Sequence, residues 1–213
     1  MGPERMDDAL AAVPRRYALS FTTGALLARE AALLAPVFVE RRDWERVRDE
    51  AVARNLLQAR TSSTGVRLVR ETVKRLSALA DDEIGLLVEA TASERAHLMW
   101  AAACRRYELI GEFAEEVLRE RFLLLASTLR HEDFDTFVRA KALWHEELAQ
   151  VTESTLRKLR SNVFRMLQEA ELLSEAGLIM PVVLSDPVAA VLTARTPSDL
   201  RYFPTRLTEG PVR

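Results

Sequence analysis

Apolar positions recur along most of this chain at spacings of three and four residues, separated by short polar stretches, which is the periodicity of helices that bury one face. Ser20, Thr22 and Thr23 can cap a helix start ahead of GALLAREAALLA, and that first helix is expected to end near Pro36. Asp43 opens DWERVRDEAVARNLL, where Trp44, Val47 and Ala51 share a face and the charges between them point to water. QARTSST reads as a turn leading into a capped third helix over about 62–79, because its hydroxyls compete for backbone groups. ADDE at 80–83 begins a further capped element, TASERAHLMWAAACRRY a helix, and ELIGEFAEEVLRERFLLLAS a long one.

From His131 the plan returns. DFDTFVRAKALWHEEL stands where DWERVRDEAVARNLL stood, with Asp133, Phe134 and Phe137 answering Asp43, Trp44 and Val47, and a helix over about 152–172 follows. In LLSEAGLIMPVVLS, the residues Glu175, Ala176 and Gly177 separate two short apolar runs and predict a small β-hairpin. A last helix runs through DPVAAVLTA. The expected fold class is all-α, with helical regions over 17–126 and 127–204, tails at 1–16 and 205–213, and a helix-turn-helix in each region, the second winged by the hairpin.

The repetition is most specific in RTSSTGVRLVRETVKRL at 60–76 and VTESTLRKLRSNVFRML at 151–167. At an offset of 91, Thr61, Ser63, Thr64, Leu68 and Leu76 recur as Thr152, Ser154, Thr155, Leu159 and Leu167. Ser63, Arg67, Arg70 and Lys74 fall on one narrow stripe of the first helix, and Ser154, Lys158, Ser161 and Arg165 on the matching stripe of the second, with Arg157 beside it. Val66, Val69, Val73 and Leu76 would seat the first helix, and Leu156, Leu159, Val163 and Leu167 the second. Arg160 falls near the apolar side, against the pattern.

Hydroxyls and free N–H groups at a helix start can bond phosphate oxygens, while cations further along reach base edges or backbone, so such a helix after a short turn suits a DNA major groove. A chain with 29% charged residues also carries basic side chains on helices simply to stay solvated. The duplication of the stripe is what favours the nucleic-acid reading.

Composition narrows the classes. With 213 residues, 48% of them hydrophobic, the chain can bury a substantial core, and with only 7 Gly and 8 Pro it favours long helices. Thirty Lys and Arg against 32 Asp and Glu leave a net charge of −2, so any polyanion site must be a local patch. The single Cys104 excludes an internal disulfide, is expected to be buried and inert, and fits a reducing cytoplasm. Charge-free stretches such as AGLIMPVVLS are about half the roughly 20 residues of a membrane span, and the start does not read as a signal peptide. Neither membrane contact nor a cofactor is expected.

No catalytic pattern emerges. His97, His131 and His145 stand apart, HEELA and HEDFD lack the second histidine of a zinc helix, and GxxxxGK[ST], GxGxxG and GxSxG are missing. Asp81 with Asp82 and Glu115 with Glu116 read as helix starts and solvated faces, and Trp44, Trp100 and Trp144 as core. Neither an enzyme nor a small-molecule substrate is expected.

YALSFTTGALLAREAALLA, NLLQARTSSTGVRLVRETVKRL, LVEATASERAHLMWAAACRRYELIGEFAEEVLRERF, ESTLRKLRSNVFRMLQEAELL and the near-terminal DLRYFP together resemble the BrxA family over roughly residues 17–204. That family is a core component of type 1 bacteriophage exclusion (BREX) systems, in which a methyltransferase marks host DNA and companion proteins block phage replication. The resemblance implies a cytoplasmic, non-enzymatic, all-helical protein with two helix-turn-helix units that binds double-stranded DNA. The family has also been likened to RNA-binding antitermination factors of the NusB type, and an adaptor docking other BREX components is a further alternative. On the DNA reading the contact residues are Arg60, Ser63, Thr64, Arg67, Arg70 and Lys74 in the first copy. In the second they are Ser154, Thr155, Arg157, Lys158, Ser161 and Arg165.

Overall fold

The computed structural model describes residues 16–23 and 25–206. Among them, α-helices account for nearly all regular structure and no β-strand forms. The tails expected at 1–16 and 205–213 lie almost wholly outside the described residues.

Helix α1 (Ala28–Arg41) does not end at Pro36 but runs through it, and it starts at Ala28 with Leu27 in the left-handed region, not at a Ser or Thr cap. An interior proline costs about 3 kcal/mol by removing an N–H and crowding the preceding turn. Burial of Ala31, Leu34, Ala35 and Phe38 on both sides of the proline offsets that cost. The described residues ahead of α1, 16–23 and 25–27, form an irregular strap in which Tyr17, Phe21 and Leu26 are buried.

Helix α2 (Trp44–Ala53) is capped by Asp43, whose carboxylate accepts from the Glu45 and Arg46 amides, and it buries Val47 and Ala51 while Trp44 stacks on Phe38 at 3.9 Å. A turn follows in which Asn55, at φ 45, accepts from the Ala59 amide. Then come α3 (Ser62–Leu76), α4 (Asp81–Glu89) and α5 (Ala92–Arg106). Helix α4 starts with the Glu83 carboxylate accepting from the Ala80 amide, and α5 with a reciprocal pair between Thr91 and Glu94. Residues 96–104 of α5 are buried all round, as befits a central helix. It contacts α1, α3, α4, α10, α11 and the terminal 3-10 turn Asp199–Tyr202, to whose Tyr202 carbonyl the Trp100 indole donates at 2.8 Å. Cys104 lies here, buried as expected, its thiol pushed up by that burial.

The expected long helix is α6 (Glu108–Phe113), a π-helical turn (Ala114–Arg119) and α7 (Glu120–Leu123) in continuous succession. The second copy then comprises α8 (His131–Lys141), α9 (Glu146–Ala149) and α10 (Glu153–Glu169). Asp133 is not the counterpart of Asp43 at a cap: it is the third residue of α8 and reaches back to the Arg130 amide. Nor is Trp144 core, being 78% exposed beside Leu143 in the bend between α8 and α9. The wing shrinks to single antiparallel bridges, Thr128 with Leu178 and Leu173 with Ile179, about a turn where Gly177 has φ 78. Its arms cannot lengthen, because α10 ends just before them and Pro181 lacks the N–H that a ladder needs. Helix α11 (Asp186–Thr193) follows.

Candidate nucleic-acid interface

The starts of α3 and α10 are built alike. Thr61 Oγ1 accepts from the Thr64 amide at 3.3 Å and lies 2.9 Å from Thr64 Oγ1 and 3.3 Å from Ser63 Oγ. Thr152 Oγ1 accepts from the Thr155 amide at 3.3 Å and lies 2.9 Å from Thr155 Oγ1 and 3.2 Å from Ser154 Oγ. Each basic helix therefore opens on three linked hydroxyls at its positive end, where the remaining N–H groups face water.

Beyond these starts, the predicted faces hold. Arg60, Ser63, Arg67 and Arg70 are exposed and Lys74 and Thr64 half-buried, while Val69, Val73 and Leu76 are buried and Val66 half-buried. Ser154, Arg157, Lys158, Ser161 and Arg165 are exposed and Thr155 half-buried, over buried Leu159, Val163 and Leu167 and half-buried Leu156. The stripes differ in how free their cations are. Among the described residues the one ion pair formed from α3 joins Glu71 to Arg75, away from the stripe. On α10, Arg165 is paired with Glu169 at 3.0 Å and Arg157 stands 3.9 Å from Glu153, leaving Lys158.

Each stripe borders a concavity. Between α2 and α3 a groove of about 670 Å³ is lined by Val52, Ala53, Val66 and Val69 with the charged Arg48, Asp49, Arg70 and Lys74. On α10 a shallower one of about 440 Å³ is lined by Ser154, Arg157, Lys158, Ser161, Asn162 and, from the strap, Thr22. Arg48, Asn162 and Thr22 were not singled out from the sequence; Asn162 could have been, since it adjoins Ser161 and follows Lys158 by one turn.

Two arginines of these helices turn inward. Arg75 is fully buried: its Nε donates to Glu71 at 3.1 Å, and its Nη1 donates to the carbonyls of Ala25 and, at 3.2 Å, Leu26. Glu71 also accepts from the Tyr107 hydroxyl at 2.5 Å, and burial followed by that bond pushes the phenol up to about 12. The sequence signal for this pair was the Glu–x–x–x–Arg spacing inside α3. Arg160 has its explanation here: it pairs with Asp135 of α8, tying the two helices of the second copy together.

Among the described residues no cluster of three His, Cys, Asp or Glu side chains could hold a metal, and no helix is long and apolar enough to cross a membrane.

Known proteins resemble this chain over most of its length. The BrxA family model matches residues 15–196. "BREX protein BrxA" of Escherichia coli O9:H4 (strain HS) is 25% identical over 147 residues, covering 69% of this chain and 69% of that protein. The protein of the same name from Paramagnetospirillum magneticum (strain AMB-1) is 22% identical over 161 residues, 76% of this chain and 81% of that one. The Bacillus cereus (strain H3081.97) relative is 26% identical over 124 residues, 58% and 62% of the two chains. A crystal structure of an uncharacterized protein from Magnetospirillum magneticum shares the fold, with a TM-score of 0.76 at 19% identity over 89% of this chain and 98% of that one. The chain belongs to the BrxA family of BREX phage-defence systems.

Proposed function

We propose that the chain is a non-enzymatic, cytoplasmic double-stranded DNA-binding component of BREX defence, gripping the duplex through two helix-turn-helix faces, one in residues 17–126 and one in 127–204. The observation that carries this reading is the duplicated helix start: three linked hydroxyls opening a helix with a cationic stripe, twice, at the same offset. Hydroxyls and helix N-termini suit phosphate oxygens, and Arg67, Arg70, Lys74, Lys158 and Arg165 supply charge along the groove. Sequence specificity is weak on this reading, because few side chains on each helix reach base edges and two of the four positions in the second stripe are serines. Phosphate contacts dominate.

Titration with duplex DNA at several salt concentrations tests it. Neutralising about six phosphates gives log K a slope against log salt near −5. A competing stem-loop RNA of equal length should be bound less well; a preference for RNA of about tenfold, or 1.4 kcal/mol, would retire the DNA reading in favour of an RNA-binding one. Exposed Leu143 and Trp144, at 79% and 78%, favour the adaptor as second reading, since aromatic side chains anchor protein interfaces. Absence of nucleic-acid binding at low salt would select it.

A further inference from the structure

The two basic helices each pack on α5, touch one another through Arg75 and Met166, and are bridged by the strap ahead of α1. The strap is fastened to both copies. On the α10 side, Leu26 N donates to Glu169 Oε2 at 2.8 Å and Asn162 Nδ2 donates to the Phe21 carbonyl at 3.1 Å. On the α9 side, Tyr17 N donates to Glu147 Oε1 at 2.6 Å, and the Tyr17 ring stacks on His145 at 4.0 Å. On the α3 side the fastening is Arg75, whose guanidinium holds the carbonyls of Ala25 and Leu26 and comes within 3.6 Å of Met166 Sδ on α10. Positions 75 and 166 are matched by the repeat offset of 91, so the copies meet at corresponding places in their basic helices. Phe21 and Leu26 anchor the strap below, fully buried, with Phe21 edge-on to Tyr107 at 5.2 Å.

We propose that this strap locks the two basic faces into one rigid, bivalent duplex-binding surface, with Arg75 as a positioning residue that never touches DNA. The proposal rests on the DNA reading for its bivalent half alone. Joining two weak faces in fixed geometry makes the second contact intramolecular, so affinity rises without any new contact, provided that the duplex is long enough to meet both. Thr22 follows from the same arrangement: it lines the concavity of the second face because the strap delivers it there.

The test uses two readouts. Nitroxide labels on Arg70→Cys and Ser161→Cys report the distance between the faces, and Cys104 stays unlabelled because it is buried. The labels should give one narrow distance distribution, broadened in Glu71→Gln/Arg75→Met, where Tyr107 keeps an acceptor but the strap carbonyls lose their donor. Asn162→Ala/Glu169→Ala releases the strap from the other side and should broaden it too, which keeps the test decisive if the buried double variant does not fold. Unchanged narrow distributions in the released proteins would overturn the lock.

For bivalency, Glu71→Gln/Arg75→Met should lose about tenfold in affinity on a duplex of about 30 base pairs and less than about twofold on one of about 10, a single helical turn. Comparing variant with native protein at each length cancels the larger number of sites on the longer duplex. Equal losses at both lengths would overturn bivalent binding. If no duplex is bound at all, the DNA reading fails, and the label distances still decide whether the strap sets the geometry.

Discussion

The two copies bury an arginine in opposite ways. In α3 it is Arg75, fully enclosed and held through Nε by Glu71 and through Nη1 by the carbonyls of the strap, with Nη2 meeting no partner among the described residues; in α10 it is Arg160, half-buried and paired with Asp135 of its own copy. The equivalent of Arg75 in α10 is Met166 and the equivalent of Arg160 in α3 is Val69, so neither arginine belongs to the repeat. Arg160 holds α8 to α10 within one unit, whereas Arg75 holds α3 to a segment shared by both. The repeat thus carries the exposed face, and the departures from it carry the assembly.

Cutting each inward arginine measures that difference most directly. Arg75→Ala leaves the buried Glu71 without its cation, bonded to Tyr107 alone, and two strap carbonyls without their donor, and should cost about 3–5 kcal/mol in urea unfolding, the usual penalty for breaking a buried ion pair. Arg160→Ala breaks a pair whose side chains are 19% and 22% exposed, and should cost about 1 kcal/mol. Comparable losses would mean that water already reaches Arg75. Changing both partners at once, as in Glu71→Gln/Arg75→Met, should recover much of the stability lost by Arg75→Ala alone.

The same pair marks how far sequence reasoning reaches. The outward stripes and the seating residues follow from periodicity, which local geometry enforces. Arg75 and Arg160 stand at apolar positions of their helices; local i, i+4 spacing gives Arg75 its Glu71, but the strap carbonyls that it also holds lie 50 and 49 residues away, and Asp135 lies 25 from Arg160. No local rule finds such partners. Pro36 misled for a related reason: its local penalty is real, but burial against α2, α3, α4 and α5 outweighs it. Trp144 misled in the other direction, because helical spacing was extended through a bend that α8 does not cross.

The second comparison is between the stripes, and its effect is on binding. Arg67→Ala with Arg70→Ala removes two cations that meet no carboxylate among the described residues, and should lower the salt slope by about 1.8. That change amounts to roughly tenfold in affinity across the range from 50 to 200 mM salt. Lys158→Ala with Arg165→Ala removes one cation that meets no carboxylate among the described residues and one already held by Glu169, and should lower the slope by about 0.9. Circular dichroism should be unchanged, since all four side chains are at the surface. A larger loss from the α10 pair would make the second copy the main reader; no loss from either would make the stripes solvated faces only.

The smallest effect belongs to the feature that the copies share. Thr61→Ala and Thr152→Ala each remove a capping oxygen 3.3 Å from the amide three residues on, and each should cost about 1 kcal/mol, with serine restoring most of it. Equal costs require that both helix starts unfold together with the whole molecule. They have different surroundings: α3 follows a turn braced by Asn55, whereas α10 follows α9, a single turn of helix beside the exposed Leu143 and Trp144. If α10 frays locally before global unfolding, its cap is already broken in the partly open state, and Thr152→Ala will cost less than Thr61→Ala. Hydrogen exchange at the Thr64 and Thr155 amides, which donate to these caps, separates the two cases. Matched protection at both accompanies equal costs and marks both hydroxyl clusters as preformed for a ligand, while faster exchange at Thr155 marks the second cluster as one that must be ordered when it binds.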